Sequence, residues 1–96
     1  MKESILKGNR KGKCFLCERV TNTEMHHIFG GGNRKLADKK GLFVHLCHFC
    51  HNEPPNGVHF NQENNLELKR LGQQAAMDYY GWTIEEFRAI FGKNYI

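Results

Sequence analysis

Two short stretches of the chain, residues 24–29 and 42–46, read as strands. In the second, Leu42, Val44 and Leu46 share one face, and Phe43 and His45 share the other. Between them GGGNRKLADKKG reads as a loop, whose glycines reach backbone conformations closed to other residues. Residues 47–53 read as a short helical turn, stopped by Pro54 and Pro55. PNGVHF then reads as a turn and a short extended piece. Beyond it the pattern becomes helical. Asn61 can cap a helix running to about Tyr80, with Leu68, Leu71, Ala75 and Tyr79 as its apolar stripe and Gly81 at its end. A last helix starts at the capping box Thr83/Glu86, with Trp82 placed to staple onto Phe87. Phe87, Ile90 and Phe91 form its buried face, and Gly92 closes it.

The expected fold class is therefore small α+β. Residues 1–13, with Lys2, Lys7, Arg10, Lys11 and Lys13 around two glycines, read as a flexible basic arm. Residues 14–60 form the strand-bearing core, and residues 61–96 form a helical extension packed on it. A chain of 96 residues is one domain of marginal core size, for which a structural metal is a common source of stability. Hydrophobic residues make up 40%, which argues against a disordered chain. No apolar run suits a membrane span or a signal peptide, so a cytoplasmic location and no membrane partner are expected.

Charge adds a polarity to this picture. Residues 1–51 hold ten Lys/Arg against four Asp/Glu, whereas residues 52–96 hold four against six. A basic half suits a polyanionic partner, because cations bound to phosphates release condensed counterions.

The chemistry is concentrated in that half. Cys14-Phe-Leu-Cys17 and Cys47-His-Phe-Cys50 are two zinc-knuckle spacings. Each lets one tight turn aim two thiolates at one ion, and two turns complete a closed tetrahedral Zn²⁺ site. A closed site has no open position, so this zinc is expected to be structural. All six histidines lie between positions 26 and 59, with His26 and His27 adjacent and His51 directly after the second knuckle. Hydrolysis of a phosphodiester needs a base near neutral pH and a cation on the scissile phosphate. Imidazoles can supply the first and help to hold the second. His48, inside a knuckle, is the expected bystander.

CFLC, EMHHIFGGGNRK, GLFVHLCHFCHN and GVHFN together resemble the HNH endonuclease superfamily, in particular small HNH proteins of phages and prophages. The resemblance is strong over residues 14–60 and looser at the FGKNYI tail. It implies a ββα-metal core, a two-stranded hairpin packed on a short helix, over those residues. It also implies roles: His27 as general base, and His26 and His51 as ligands of a catalytic divalent ion. Mg²⁺ or Mn²⁺ is the leading choice of ion, with Zn²⁺ or Ni²⁺ as alternatives at a site rich in histidine. The expected products carry 5′-phosphate and 3′-hydroxyl ends. Two positions depart from the family pattern. Pro55 stands where a further helical ligand often lies, and His59 is the substitute. Gly41-Leu42 stands at the place of the central Asn, leaving Asn33 or Asn52 to pin the loop. Arg34 and Lys35, after the glycines and beside Asn33, are the candidate phosphate grips, since a guanidinium can hold a phosphate through two hydrogen bonds. The expectation is thus a DNA endonuclease of phage or prophage DNA processing or recombination. The rival is a non-catalytic zinc ribbon that binds nucleic acid through its basic half.

Overall fold

The computed structural model describes residues 3–96. Among these, a two-stranded antiparallel sheet and four α-helices make a small α+β fold. β1 (Glu24–His27) pairs with β2 (Phe43–Leu46), His26 opposite Val44 and His27 opposite Phe43. α2 (His48–Asn52) follows β2 directly and packs against both strands, completing the hairpin-plus-helix unit. α3 (Gln62–Tyr80) and α4 (Ile84–Phe91) form the C-terminal part. No helix among the described residues is long and apolar enough to cross a membrane.

The segment between the strands is not a plain loop. Gly31–Asn33 form a 3₁₀ turn and Arg34–Lys40 form a helix, α1. Of the three glycines, Gly31 has positive φ (58°), and Gly41 ends α1 in the left-handed conformation (φ 75°). Ala37 is fully buried, so tertiary packing of one small face stabilises a helix too short to announce itself by periodicity.

Part of the expected arm packs on the fold through Ser4, Ile5, Leu6 and Asn9, whereas Lys7, Arg10 and Lys11 are exposed and Lys2 lies outside the described residues. Leu6 is buried in the core, and the Ile5 amide donates to the Gly41 carbonyl at 2.9 Å. The Ser4 hydroxyl donates to the Phe43 carbonyl at 2.6 Å. Asn9 accepts from the His45 amide at 2.8 Å, and the Phe15 amide donates to the His45 carbonyl at 2.8 Å. These bonds satisfy the open edge of β2, whose backbone groups would otherwise need water. β2 consequently buries Phe43 as well as Val44 and Leu46, with Leu42 buried just before it, and the expected two-faced alternation is lost.

Both C-terminal helices carry the expected caps. The Asn61 side chain accepts from the Asn64 amide at 3.0 Å, and the Thr83/Glu86 box is complete, with 3.1 Å in each direction. Their buried faces differ from the expectation. α3 buries Leu68, Gly72, Gln73 and Ala76, whereas Leu71 and Tyr79 are exposed. The cause is close approach to the end of β1. A Cβ at Gly72 would lie 2.9 Å from Ile28 Cγ2, so only glycine lets the helix backbone sit there. In α4, Phe87 and Phe91 are buried but Ile90 is exposed. The ring partners of Phe87 are Phe29, Phe91 and Tyr95, while Trp82 stacks on Tyr80 at 4.7 Å. Gln73 is the buried polar key of the tail: its amide nitrogen donates to Asn94 Oδ1 and its oxygen accepts from the Tyr95 amide, both at 2.7 Å.

Candidate metal centres and the cleft beside the histidines

The hairpin and α2 create two clusters of ligand atoms. The first contains the sulfurs of Cys14, Cys17, Cys47 and Cys50, all within 4.8 Å of one another. Cys14 and Cys17 sit on a turn closed by the Glu18 amide donating to the Cys14 carbonyl at 2.9 Å. Cys47 caps α2 and Cys50 lies within it. The Cys17 and Cys47 sulfurs are 3.7 Å apart. Tetrahedral Zn–S bonds of about 2.3 Å imply a spacing of about 3.8 Å, so the four sulfurs fit a zinc ion. Burial, followed by the neighbouring sulfurs, pushes the Cys50 thiol up. Burial opposes charge at Cys14 as well, but backbone amide hydrogen bonds outweigh it and bring that thiol down to about 7. A group of thiolates sharing this space requires a cation to be stable. The four cysteines can therefore hold a structural zinc.

The second cluster contains His26, His51 and His59, whose ligand nitrogens also lie within 4.8 Å of one another. Alternation along β1 turns His26 inward, where it is 8% exposed. His51 comes from α2, one residue after Cys50. His59 comes from the return of the chain after the prolines. This return is pinned to α2 by the Val58 amide on the Cys50 carbonyl (2.8 Å) and the His59 amide on the His51 carbonyl (3.3 Å). Gly57 makes the return possible. A Cβ there would lie 2.7 Å from both the amide nitrogen and the carbonyl oxygen of Glu53.

Hydrogen bonding sets which nitrogens are free. His51 Nδ1 lies 2.7 Å from Glu24 Oε1. An ionised carboxylate only accepts, so the ring proton is on Nδ1 and the Nε2 lone pair is left exposed to the cluster. Asn52 Nδ2 donates to the same carboxylate oxygen at 2.9 Å, and His48 Nδ1 lies 3.2 Å from Oε2. The bonds from His51 and then His48 hold the Glu24 carboxyl below the usual carboxylate range. A carboxylate that orients an imidazole is the usual outer support of a histidine metal ligand. His51 Nε2 and His59 Nε2 face each other at 2.9 Å. His26 Nε2 is buried without a hydrogen-bond partner. Burial, then the charges of His51, His59, His27 and Lys69, lowers His26 to about 4, and burial followed by His51 lowers His59. Both rings are therefore neutral at pH 7. A buried partnerless nitrogen beside two converging imidazoles fits a cation.

Comparison with family models, curated proteins and solved structures finds no match for this chain.

The three histidines open onto a cleft of about 540 Å³, also lined by His27, Asn33, Arg34, Asn65, Lys69 and Tyr95. His27 Nε2 lies 3.1 Å from Asp38 Oδ1 of α1, so its lone pair is at Nδ1. Of the candidate phosphate grips, Arg34 lines the cleft, and Lys35 is exposed outside its lining. Asn33 also lines it, with its amide nitrogen donating to the Phe91 carbonyl at 2.9 Å. Asn33 thus ties the glycine turn to the end of α4, and Asn52 ties Glu24 to α2.

Four further residues enter the picture here: Glu24, Asp38, Lys69 and Tyr95. Glu24 carried a signal, since it lies two residues before His26 and so on the same face of the strand. Asp38 carried none, because the helix presenting it reads as a loop. Lys69 and Tyr95 reach the cleft through the packing of α3 and the tail.

Proposed function

We propose that this chain is a metal-dependent endonuclease of the HNH type, hydrolysing phosphodiester bonds in DNA during phage or prophage DNA processing or recombination. The observation that carries the reading is the convergence of His26, His51 and His59, with a partnerless buried nitrogen, apart from the four sulfurs. The resemblance of residues 14–60 to HNH proteins supports the same conclusion. The roles below belong to this proposal.

His26, His51 and His59 would hold the divalent ion, Mg²⁺ or Mn²⁺ first and Zn²⁺ or Ni²⁺ next. When bound, such an ion polarises a phosphoryl oxygen and stabilises the charge that develops on the leaving 3′ oxygen. His27 takes the proton of the attacking water at Nδ1. Asp38 holds its ring in the tautomer that leaves this nitrogen free. Arg34 grips the phosphate, with Lys35 and Asn33 flanking it. Glu24, His48 and Asn52 keep the His51 lone pair aimed into the cluster. The structural zinc of Cys14, Cys17, Cys47 and Cys50 fixes α2, and through it His51.

The test is nicking of supercoiled plasmid with Mg²⁺, Mn²⁺ or EDTA. The expected result is metal-dependent nicking, reduced a hundredfold or more in His27→Ala at unchanged zinc content and Tm. Equal nicking by that variant removes His27 as the base. DNA binding without any cleavage favours the non-catalytic zinc ribbon.

A further inference from the structure

The cleft has cations on two separate elements. Arg34 opens α1, and Lys69 lies near the middle of α3, far from the hairpin in sequence. We propose that Lys69 is a second phosphate-binding residue, so that the C-terminal helical unit forms one wall of the DNA site. This inference rests on the nucleic-acid reading of the cleft.

Three observations support it. First, Lys69 lines the cleft that holds the three imidazoles. Second, its ammonium forms no ion pair with a carboxylate among the described residues, so an anionic group would not have to displace one. Third, its position is built. The ammonium stands 5.4 Å from the centre of the Tyr95 ring. Tyr95 is fixed by its amide donating to the fully buried Gln73, and its ring packs on Phe29 at 5.5 Å. A cation steadied over an aromatic face keeps its charge and its three donors available to a phosphate oxygen. Placing cations beside the three converging imidazoles also makes electrostatic sense, because a phosphodiester brings negative charge to the same place.

The test separates binding from cleavage. Binding of a short fluorescein-labelled DNA duplex, and of its single strand, is followed by anisotropy across a salt series without added divalent ion. The proteins are the zinc-loaded full chain, Lys69→Met, Lys69→Arg and the exposed control Lys39→Met. Lys69→Met is expected to weaken binding about five-fold or more and to lower the salt slope by about one, the signature of one lost phosphate contact. Lys69→Arg should stay near wild type, and Lys39→Met within about two-fold. Near-UV circular dichroism and Tm of Lys69→Met show whether Tyr95 has kept its place. An unchanged salt slope in Lys69→Met overturns the proposal, as does an equal loss in Lys69→Arg, which indicates packing on Tyr95 instead. Failure of the wild type to bind either probe overturns it too. The parallel nicking assay keeps the two readings apart. Lys69-dependent binding with no cleavage leaves this clamp standing and removes the nuclease. Cleavage with an unchanged Lys69 salt slope does the reverse.

Discussion

Replacing His26 by leucine should make the protein more stable and less able to hold a second metal. His26 is 8% exposed, and its Nε2 has no partner. A buried polar atom left in that state costs about 1–3 kcal/mol. Leucine removes the unpaired atom at similar side-chain size, and imperfect repacking against the rings of His51 and His59, 5.1 and 5.3 Å away, offsets part of the gain. A net stabilisation of about 1 kcal/mol is expected, and for a domain of this size that raises Tm by about 4–8 °C. The assay is thermal unfolding of zinc-loaded protein with and without excess Mn²⁺. Without Mn²⁺ the variant should melt above the wild type. At a hundredfold excess over Kd, Mn²⁺ should stabilise the wild type by about 2.7 kcal/mol and leave the variant unmoved. The pH dependence has a definite sign. Burial and neighbouring charge lower His26 from 6.5 to about 4, so the unfolded chain binds more protons in that window. Wild-type stability should therefore fall as pH drops from about 6.5 to about 4, and less steeply in the variant. A leucine variant that melts lower than the wild type without Mn²⁺, or that keeps the full Mn²⁺ response, would refute the reasoning.

Other perturbations test the supporting structure. Cys14→Ser should lower zinc content and Tm together, and should also blunt the Mn²⁺ response because Cys50 and His51 share α2; full zinc content would remove the four-sulfur site. Glu24→Gln should weaken Mn²⁺ binding by about 10–100-fold in calorimetry at unchanged zinc content, since the amide no longer fixes the His51 tautomer. Unaltered affinity there would end the positioning role of Glu24. Gly57→Ala places a methyl 2.7 Å from the Glu53 backbone and should cost about 1–3 kcal/mol in denaturant unfolding while displacing His59; an unmoved midpoint contradicts this.

What was legible in the sequence was local. Capping residues, prolines and short spacings act within a few positions, so the caps at Asn61 and Thr83, the stop after α2 and the two cysteine pairs could be read directly. Adjacent residues on a strand face opposite ways, so adjacency alone sends His26 and His27 to different faces of β1. Tertiary structure decided whatever depended on distant partners. α1 forms because Ala37 finds a core to enter, and Ser4 and Asn9 are held in place because β2 offers an open edge. The buried face of α3 is chosen by Gly72 meeting Ile28, not by its largest apolar residues. In the same way, the meeting of His59 with His51, the Glu24 carboxylate behind it and Lys69 across the cleft are products of packing between segments far apart in the chain. Periodicity records which residues prefer to be buried. Only the assembled fold determines which of them meet.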